Sequence, residues 1–236
     1  MATFRDRLDR WAPAESRVLA AALGIVASLW LFVVLASLVV SGHAQTLDER
    51  ILLALRRPGD LALPIGPRWL HQVAVEVTAL GSVPVMTAIV LAVCGWMALA
   101  RRRALIGLVL ASSCGAGLLN TVLKSTFGRP RPSVVPQLAM VDSPSFPSGH
   151  AMIAAAVYLT LGAMLARTTA RRALRLYYLA VALGVSGMVA FSRVYLGVHY
   201  PSDVLAGMAA GGLWALVCDV AAWRLQREGV ERPPAR

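Results

Sequence analysis

The sequence predicts an all-α protein: a six-transmembrane helix bundle with a helical extracytoplasmic loop between its first two spans. Three observations carry this expectation. Hydrophobic residues make up 58% of the 236 residues and charged residues only 15%, with a mean hydropathy of +0.65, against roughly 45–50% apolar residues in soluble domains. Six apolar segments each approach the roughly 20 residues that a bilayer-spanning helix needs. The arginines fall in short clusters between those segments, rich on one side and sparse on the other.

The spans are expected over Val18–Val40, Val83–Ala100, Ala104–Lys124, His150–Ala166, Leu174–Ser192 and Ser202–Trp223. The first follows Arg5, Arg7 and Arg10, as a secretory signal would, but its apolar run exceeds the roughly 7–15 residues of a signal core. It reads as a retained anchor. The loop over about 42–82 has helical content of its own. In TLDERILLALRRPGD, Thr46 is placed as a cap with Glu49 three residues on, Leu47, Ile51, Leu52 and Leu55 share a face, and Pro58-Gly59 ends the run. A second helix is expected over Pro67–Leu80, presenting Trp69, Leu70, Val73 and Val77. Such helices lie in the membrane interface over a site or pack on the bundle, and the sequence leaves both open. No internal repeat is evident, so residues 1–236 read as one membrane-embedded domain with a loose tail over about 225–236.

The arginine pattern sets an orientation. Arg5, Arg7, Arg10 and Arg17, then Arg101–Arg103, then Arg167, Arg171, Arg172 and Arg175, then Arg224, Arg227, Arg232 and Arg236 all fall on the side that the positive-inside rule assigns to the cytoplasm. Both termini are therefore expected in the cytoplasm and the chain in the cell's inner (plasma) membrane. The net charge of +11 does not point to nucleic acid, because its residues sit between apolar runs rather than on one soluble face. Cys94, Cys114 and Cys218 lie within apolar runs and offer neither a disulfide framework nor metal-ligand spacing. His43 and His71 have no partner at a diagnostic spacing and read as surface or interface histidines.

This topology carries unusual polar residues to one face. Lys124, Arg129 and Arg131 lie where the third span leaves the membrane, Ser148-Gly149-His150 where the fourth enters, Ser192-Arg193 where the fifth leaves, and His199 with Asp203 where the sixth enters. Each piece suits an anion. Lys124 brings a point charge and Arg131 a planar fork of donors. A helix opening at Gly149 turns its first N–H groups and the positive end of its dipole outward, beside the Ser148 hydroxyl. Arg193 is a third cation, and Pro201 opens a helix that carries Asp203 on the turn next to His199. A carboxylate on one ring nitrogen fixes the tautomer and frees the other nitrogen to attack. Two histidines, three cations and a carboxylate at the ends of four successive helices are poorly explained by packing and indicate an anion-handling site.

At these residues the sequence resembles the type-2 phosphatidic acid phosphatase superfamily, in its integral-membrane bacterial branch. K-x6-R-P at Lys124 to Pro132, P-S-G-H at Pro147 to His150 and S-R-x5-H-x3-D at Ser192 to Asp203 are similar to its three signature motifs, in order and in spacing. The resemblance implies that His199 is the nucleophile that becomes a phosphohistidine and that Asp203 orients it. It implies that His150 protonates the leaving oxygen, and that Lys124, Arg131, Ser148, the Gly149 N–H and Arg193 hold the phosphoryl oxygens. No metal or other cofactor is implied. The implied partners are the bilayer and a membrane lipid phosphate: undecaprenyl diphosphate, phosphatidylglycerol phosphate, phosphatidic acid or diacylglycerol pyrophosphate. Of the two Arg-Pro pairs in GRPRP only Arg131-Pro132 fits the motif gap, which leaves Arg129 as a backup contact or a headgroup anchor. A lipid phosphotransferase on the same scaffold remains an alternative. So does an anion or lipid transporter, for which Asp219 is the sole ionisable candidate well inside a span.

Overall fold

A computed structural model describes the backbone over residues 4–231 and the side chains over residues 18–224. Within it the chain forms α1 (Phe4–Val40), α2 (Gln45–Ala54), β1 (Arg56–Arg57), β2 (Asp60–Pro64), α3 (Arg68–Ala79), α4 (Val83–Leu99), α5 (Arg103–Phe127), α6 (Gly149–Ala166), α7 (Arg172–Tyr195) and α8 (Pro201–Glu231). Five helices are long and apolar enough to cross a membrane: α1 from Val18, α5, α6, α7, and α8 to Arg224. The expected second span is shorter than the rest, because α4 has 17 residues, about 25 Å of helix against a hydrocarbon core of about 30 Å. It meets the same test together with α3, across a 50° bend, and the bent pair taken as one span makes the sixth. The backbone of α8 runs on to Glu231. Residues 232–236 of the expected tail lie outside the described residues, as do the side chains of Arg5, Arg7, Arg10, Arg17 and Arg227.

At the centre α6 packs against α8, α7 and α5, while α1 lies on α8, α3 on α7 and α4 on α5. The α6–α8 contact is close because small residues permit it. A β-carbon on Gly207 would stand 2.6 Å from Ser148 O, and one on Gly211 would collide with Met152 O. This G-x-x-x-G spacing lets two helix backbones approach where lipid supplies no hydrophobic drive. Polar links add to it: Ser112 Oγ donates to Ala156 O at 3.0 Å and shares a 2.8 Å hydrogen bond with Thr160 Oγ1 between α5 and α6. Outward, Leu23, Trp30, Leu91, Trp96 and Leu183 are exposed, as expected of faces solvated by lipid. Asp219 is not a lone charge in the bundle, for it pairs with Arg167 at the end of α6.

The loop after the first span departs from its expected form. The first helix ends at Ala54, and Arg56–Arg57 turns back through Pro58-Gly59 to pair antiparallel with Asp60–Pro64. Gly59 takes φ +89° in that turn, which glycine adopts without steric cost. Thr46 is not the cap; Ala44 holds that place with no side-chain bond, while Gln45 reaches Glu49. The inward face of α2 is Asp48 and Leu52 rather than Leu47 and Ile51, which are exposed. The helix expected over Pro67–Leu80 is α3, flanked by Pro67 and Leu80, with Ala74 buried and Trp69 and Val73 exposed. Both helices sit at the end of the bundle that holds the polar cluster.

Candidate active site

The position of His199 begins with how α7 stops. Gly197 takes φ +72°; its N–H donates to Val194 O at 2.9 Å and the Val198 N–H reaches back to Arg193 O at 3.2 Å. This pair of bonds is the Schellman motif, which closes a helix and reverses the chain. A β-carbon at Gly197 would press on Val135 at 3.0 Å and on Pro136 O at 3.2 Å. Two residues later His199 enters the bundle, 1% exposed, and Pro201 opens α8. Asp203, in the first turn of α8, accepts from the Tyr200 N–H at 2.9 Å, the side-chain-to-backbone half of a capping box.

Asp203 is fully buried and uses its two oxygens in opposite directions. Oδ2 accepts from Ser145 Oγ at 2.5 Å and lies 3.5 Å from His199 Nδ1, while Ser145 Oγ is 3.3 Å from the same nitrogen. At 3.5 Å the direct contact is long for a hydrogen bond, so the serine hydroxyl is the closer link between ring and carboxylate. On the other ring edge, Nε2 is 3.2 Å from Arg131 Nη1. A guanidinium only donates, so this network assigns the proton to Nδ1 and leaves a lone pair on Nε2. Burial pushes the His199 pKa down to about 4; Asp203 opposes the shift and Arg131 and Arg193 add to it. The ring is therefore neutral at physiological pH.

The remaining expected site residues gather around it. Ser148, extended in backbone, precedes α6 and is tied to α8 by its N–H to Asp203 O at 3.0 Å. Gly149 is needed because a β-carbon there would sit 2.9 Å from Oδ1 of the buried Asn120. His150, half-buried, makes no side-chain hydrogen bond among the described residues and lies within electrostatic reach of Arg193, His199, Arg131 and Lys124. Lys124 Nζ donates to Ser143 Oγ at 3.3 Å and to Pro144 O. Arg131 donates from Nε to Ser143 O at 2.7 Å, from Nη2 to Ser143 Oγ at 3.2 Å and from Nη1 to Val198 O at 2.6 Å. Arg193, 3% exposed, donates from Nη1 to Thr78 Oγ1 of α3 at 3.0 Å. Four buried side-chain polar atoms lack a partner among the described residues: Nε and Nη2 of Arg56 beneath the hairpin, Ser148 Oγ and Arg193 Nε. The last two belong to this cluster. Among the described residues no three His, Cys, Asp or Glu side chains gather to hold a metal ion.

Arg129 is neither a backup phosphate contact nor a headgroup anchor. It is buried, bonding from Nη1 to Asp203 Oδ1 at 2.6 Å and Ser202 Oγ at 2.8 Å, and from Nη2 to Asp48 Oδ2 at 2.9 Å and Gln45 Oε1 at 3.1 Å. Its guanidinium lies 4.1 Å over the Tyr200 ring. Asp48 in turn accepts the Ser202 N–H at 2.9 Å and the Ser202 hydroxyl at 2.5 Å. Sequence reasoning passed over Asp48, Ser145 and Thr78. Of these only Asp48 carried a signal, a carboxylate one helical turn before Leu52 on the inward face of α2.

A polytopic helical bundle whose one end gathers His150 and His199, the buried Asp203 with its Arg129–Asp48 pair, and the cations Lys124, Arg131 and Arg193 defines the class, an integral-membrane enzyme. The chain belongs to the PAP2 superfamily, whose family model matches residues 104–227, and it is a membrane phosphatase of the lipid-phosphate branch. It is 34% identical over 189 residues to phosphatidylglycerophosphatase B of Bacillus subtilis, covering 78% of this chain and 88% of that one. It is 34% identical over 134 residues to decaprenylphosphoryl-5-phosphoribose phosphatase of Mycobacterium tuberculosis, covering 56% and 69%. Its fold matches the crystal structure of a transmembrane PAP2-type phosphatidylglycerolphosphate phosphatase from Bacillus subtilis with a TM-score of 0.77 at 30% identity, covering 86% of this chain and 98% of that one.

Proposed function

We propose that this enzyme hydrolyses the phosphate or diphosphate headgroup of a membrane lipid, at the outer face of the inner membrane, through a phosphohistidine at His199. The observation that carries the reading is the pair of buried donors that lack a partner among the described residues, Ser148 Oγ and Arg193 Nε. They come from different helices of one cationic cluster, and leaving such groups unmade is costly unless an acceptor arrives. A phosphoryl group is that acceptor, with Lys124, Arg131 and the Gly149 N–H completing its shell.

His199 Nε2 attacks phosphorus while the bond from phosphorus to the lipid oxygen breaks, and His150 delivers a proton to that oxygen. Arg131 Nη1 leaves Nε2 and follows the phosphoryl oxygens as it does so. The Nδ1 proton stays on the imidazolium, held by Ser145 and Asp203. His150, now neutral, takes a proton from water; the water oxygen bonds to phosphorus, the P–N bond breaks, and inorganic phosphate leaves. Three cations supply the charge that stabilises the transition state.

The orientation rests on the arginines. Arg101–Arg103, Arg167, Arg171, Arg172, Arg175 and Arg224 border the turns and helix end opposite the cluster, as the positive-inside rule expects of the cytoplasmic side. A lipid phosphate held by its tails presents its headgroup at the depth of His150 and His199. Likeness to the Bacillus relative over most of both chains favours phosphatidylglycerol phosphate among the candidates. Purified protein in detergent, given each lipid alone, tests the proposal: inorganic phosphate should be released, and release should fall to background in His199→Ala. Dephosphorylation of the first lipid only when a second is added, with the phosphoryl group recovered on the second lipid and no inorganic phosphate freed, would mark a phosphotransferase, and unchanged release in His199→Ala would overturn the mechanism.

A further inference from the structure

Resting on that reading, we infer that Asp48 of α2, acting through Arg129, is a positioning residue for phosphoryl transfer that sets how much negative charge Asp203 presents to His199. The geometry is a buried chain of alternating charges. Asp48 and Arg129 meet at 2.9 Å, Arg129 and Asp203 at 2.6 Å, and Asp203 faces His199 Nδ1 with its other oxygen. Asp48 is 2% exposed, Arg129 8% and Asp203 0%, so little water screens them.

Arg129 alone beside Asp203 would neutralise the carboxylate that must support positive charge on the imidazole once Nε2 is phosphorylated. Asp48 restores one net negative charge to the trio. It also sets the trio's position, because its two oxygens take the N–H and the hydroxyl of Ser202, the residue next to Asp203. Gln45, one turn earlier, accepts from Arg129 and donates to the Tyr200 hydroxyl at 3.1 Å. A short helix outside the spans thus buttresses the catalytic end of α8.

A merely structural tie would change stability alone, whereas a charge relay moves the titration of His199. The other charged groups around that ring are Arg131, beside which Asp142 lies, Arg193 of α7, Lys124 of α5 and His150 of α6; all stay in place in both variants below. Asp48→Asn leaves the Arg129 charge uncompensated, so the acid limb of kcat/KM on a lipid monoester should move to lower pH, with kcat down about 10–100-fold and KM within about threefold. The double variant Asp48→Asn/Arg129→Gln removes both charges and leaves Asp203 undiluted, so its limb should move to higher pH than wild type. Melting temperature in detergent reports packing separately. Opposite shifts support the inference. Unmoved limbs, or shifts in one common direction, overturn it, and if His199→Ala is still inactive the proposed function stands without it. If Asp48→Asn does not fold, the double variant decides alone: an upward shift supports the inference and an unmoved limb overturns it.

Discussion

Burying a neutral imidazole makes stability depend on pH in a way that can be assigned to one residue. His199 titrates near 6.5 when solvated and near 4 in the folded protein, chiefly because burial disfavours its charged form. The unfolded chain therefore takes up a proton at a pH where the folded one does not. The contribution of His199 to stability is whole above about pH 7, declines as pH falls from 6.5 toward 4, and is level below the folded value. At 1.36 kcal/mol per pH unit the loss is about 3 kcal/mol, worth on the order of 10 °C in melting temperature for a chain of this size. The comparison is between wild type and His199→Gln, whose side chain is similar in length and does not titrate. Melting in detergent from pH 8 to pH 4 should show the two curves separating through this window, with wild type losing more. Parallel curves, or a variant that loses more than wild type, would refute the argument that the ring is held neutral.

Three further outcomes follow from the same geometry. His150→Ala should spare more activity on diphosphate lipids than on monoesters, since a phosphate leaving group needs less protonation than an alkoxide; equal losses would argue against its role as the acid. Gly207→Val places branched carbon where even a single β-carbon would stand 2.6 Å from Ser148 O, so melting should drop by the equivalent of about 1–3 kcal/mol, and an unchanged melting point would deny the close α6–α8 approach. With Cys114 replaced by serine, a cysteine at the exposed Met140 should react with impermeant reagents added outside cells while one at Thr168 should not. The reverse pattern would invert the proposed orientation.

Local physics made much of this protein legible in its sequence. Apolar runs bounded by Arg clusters, Pro and Gly gave the helices, because lipid forces the backbone to satisfy itself within each segment. The stretch YLGVHYP encodes a helix stop, a reversal and a helix start in seven residues, and that is enough to place His199 beside Asp203. What stayed hidden depends on contacts remote in sequence. Arg129 read as a spare cation because its partner Asp48 lies 81 residues away, on a helix whose apolar pattern was half right: Leu52 and Leu55 face inward, while Leu47 and Ile51 are exposed. Ser145 looks like any loop serine until the fold sets it between His199 and Asp203. The hairpin after Leu55 escaped notice because two arginines before Pro-Gly continue a helical pattern as readily as they end it.

The central claim is covalent chemistry at His199, and trapping the intermediate tests it most directly. Lipid carrying a labelled terminal phosphate, mixed with excess enzyme and quenched in alkali within the first turnover, should leave label on the peptide containing His199, stable to base and lost in acid. The label should be absent from His199→Ala. Label on another residue, or complete phosphate release with no labelled enzyme at any time in the first turnover, would contradict the account.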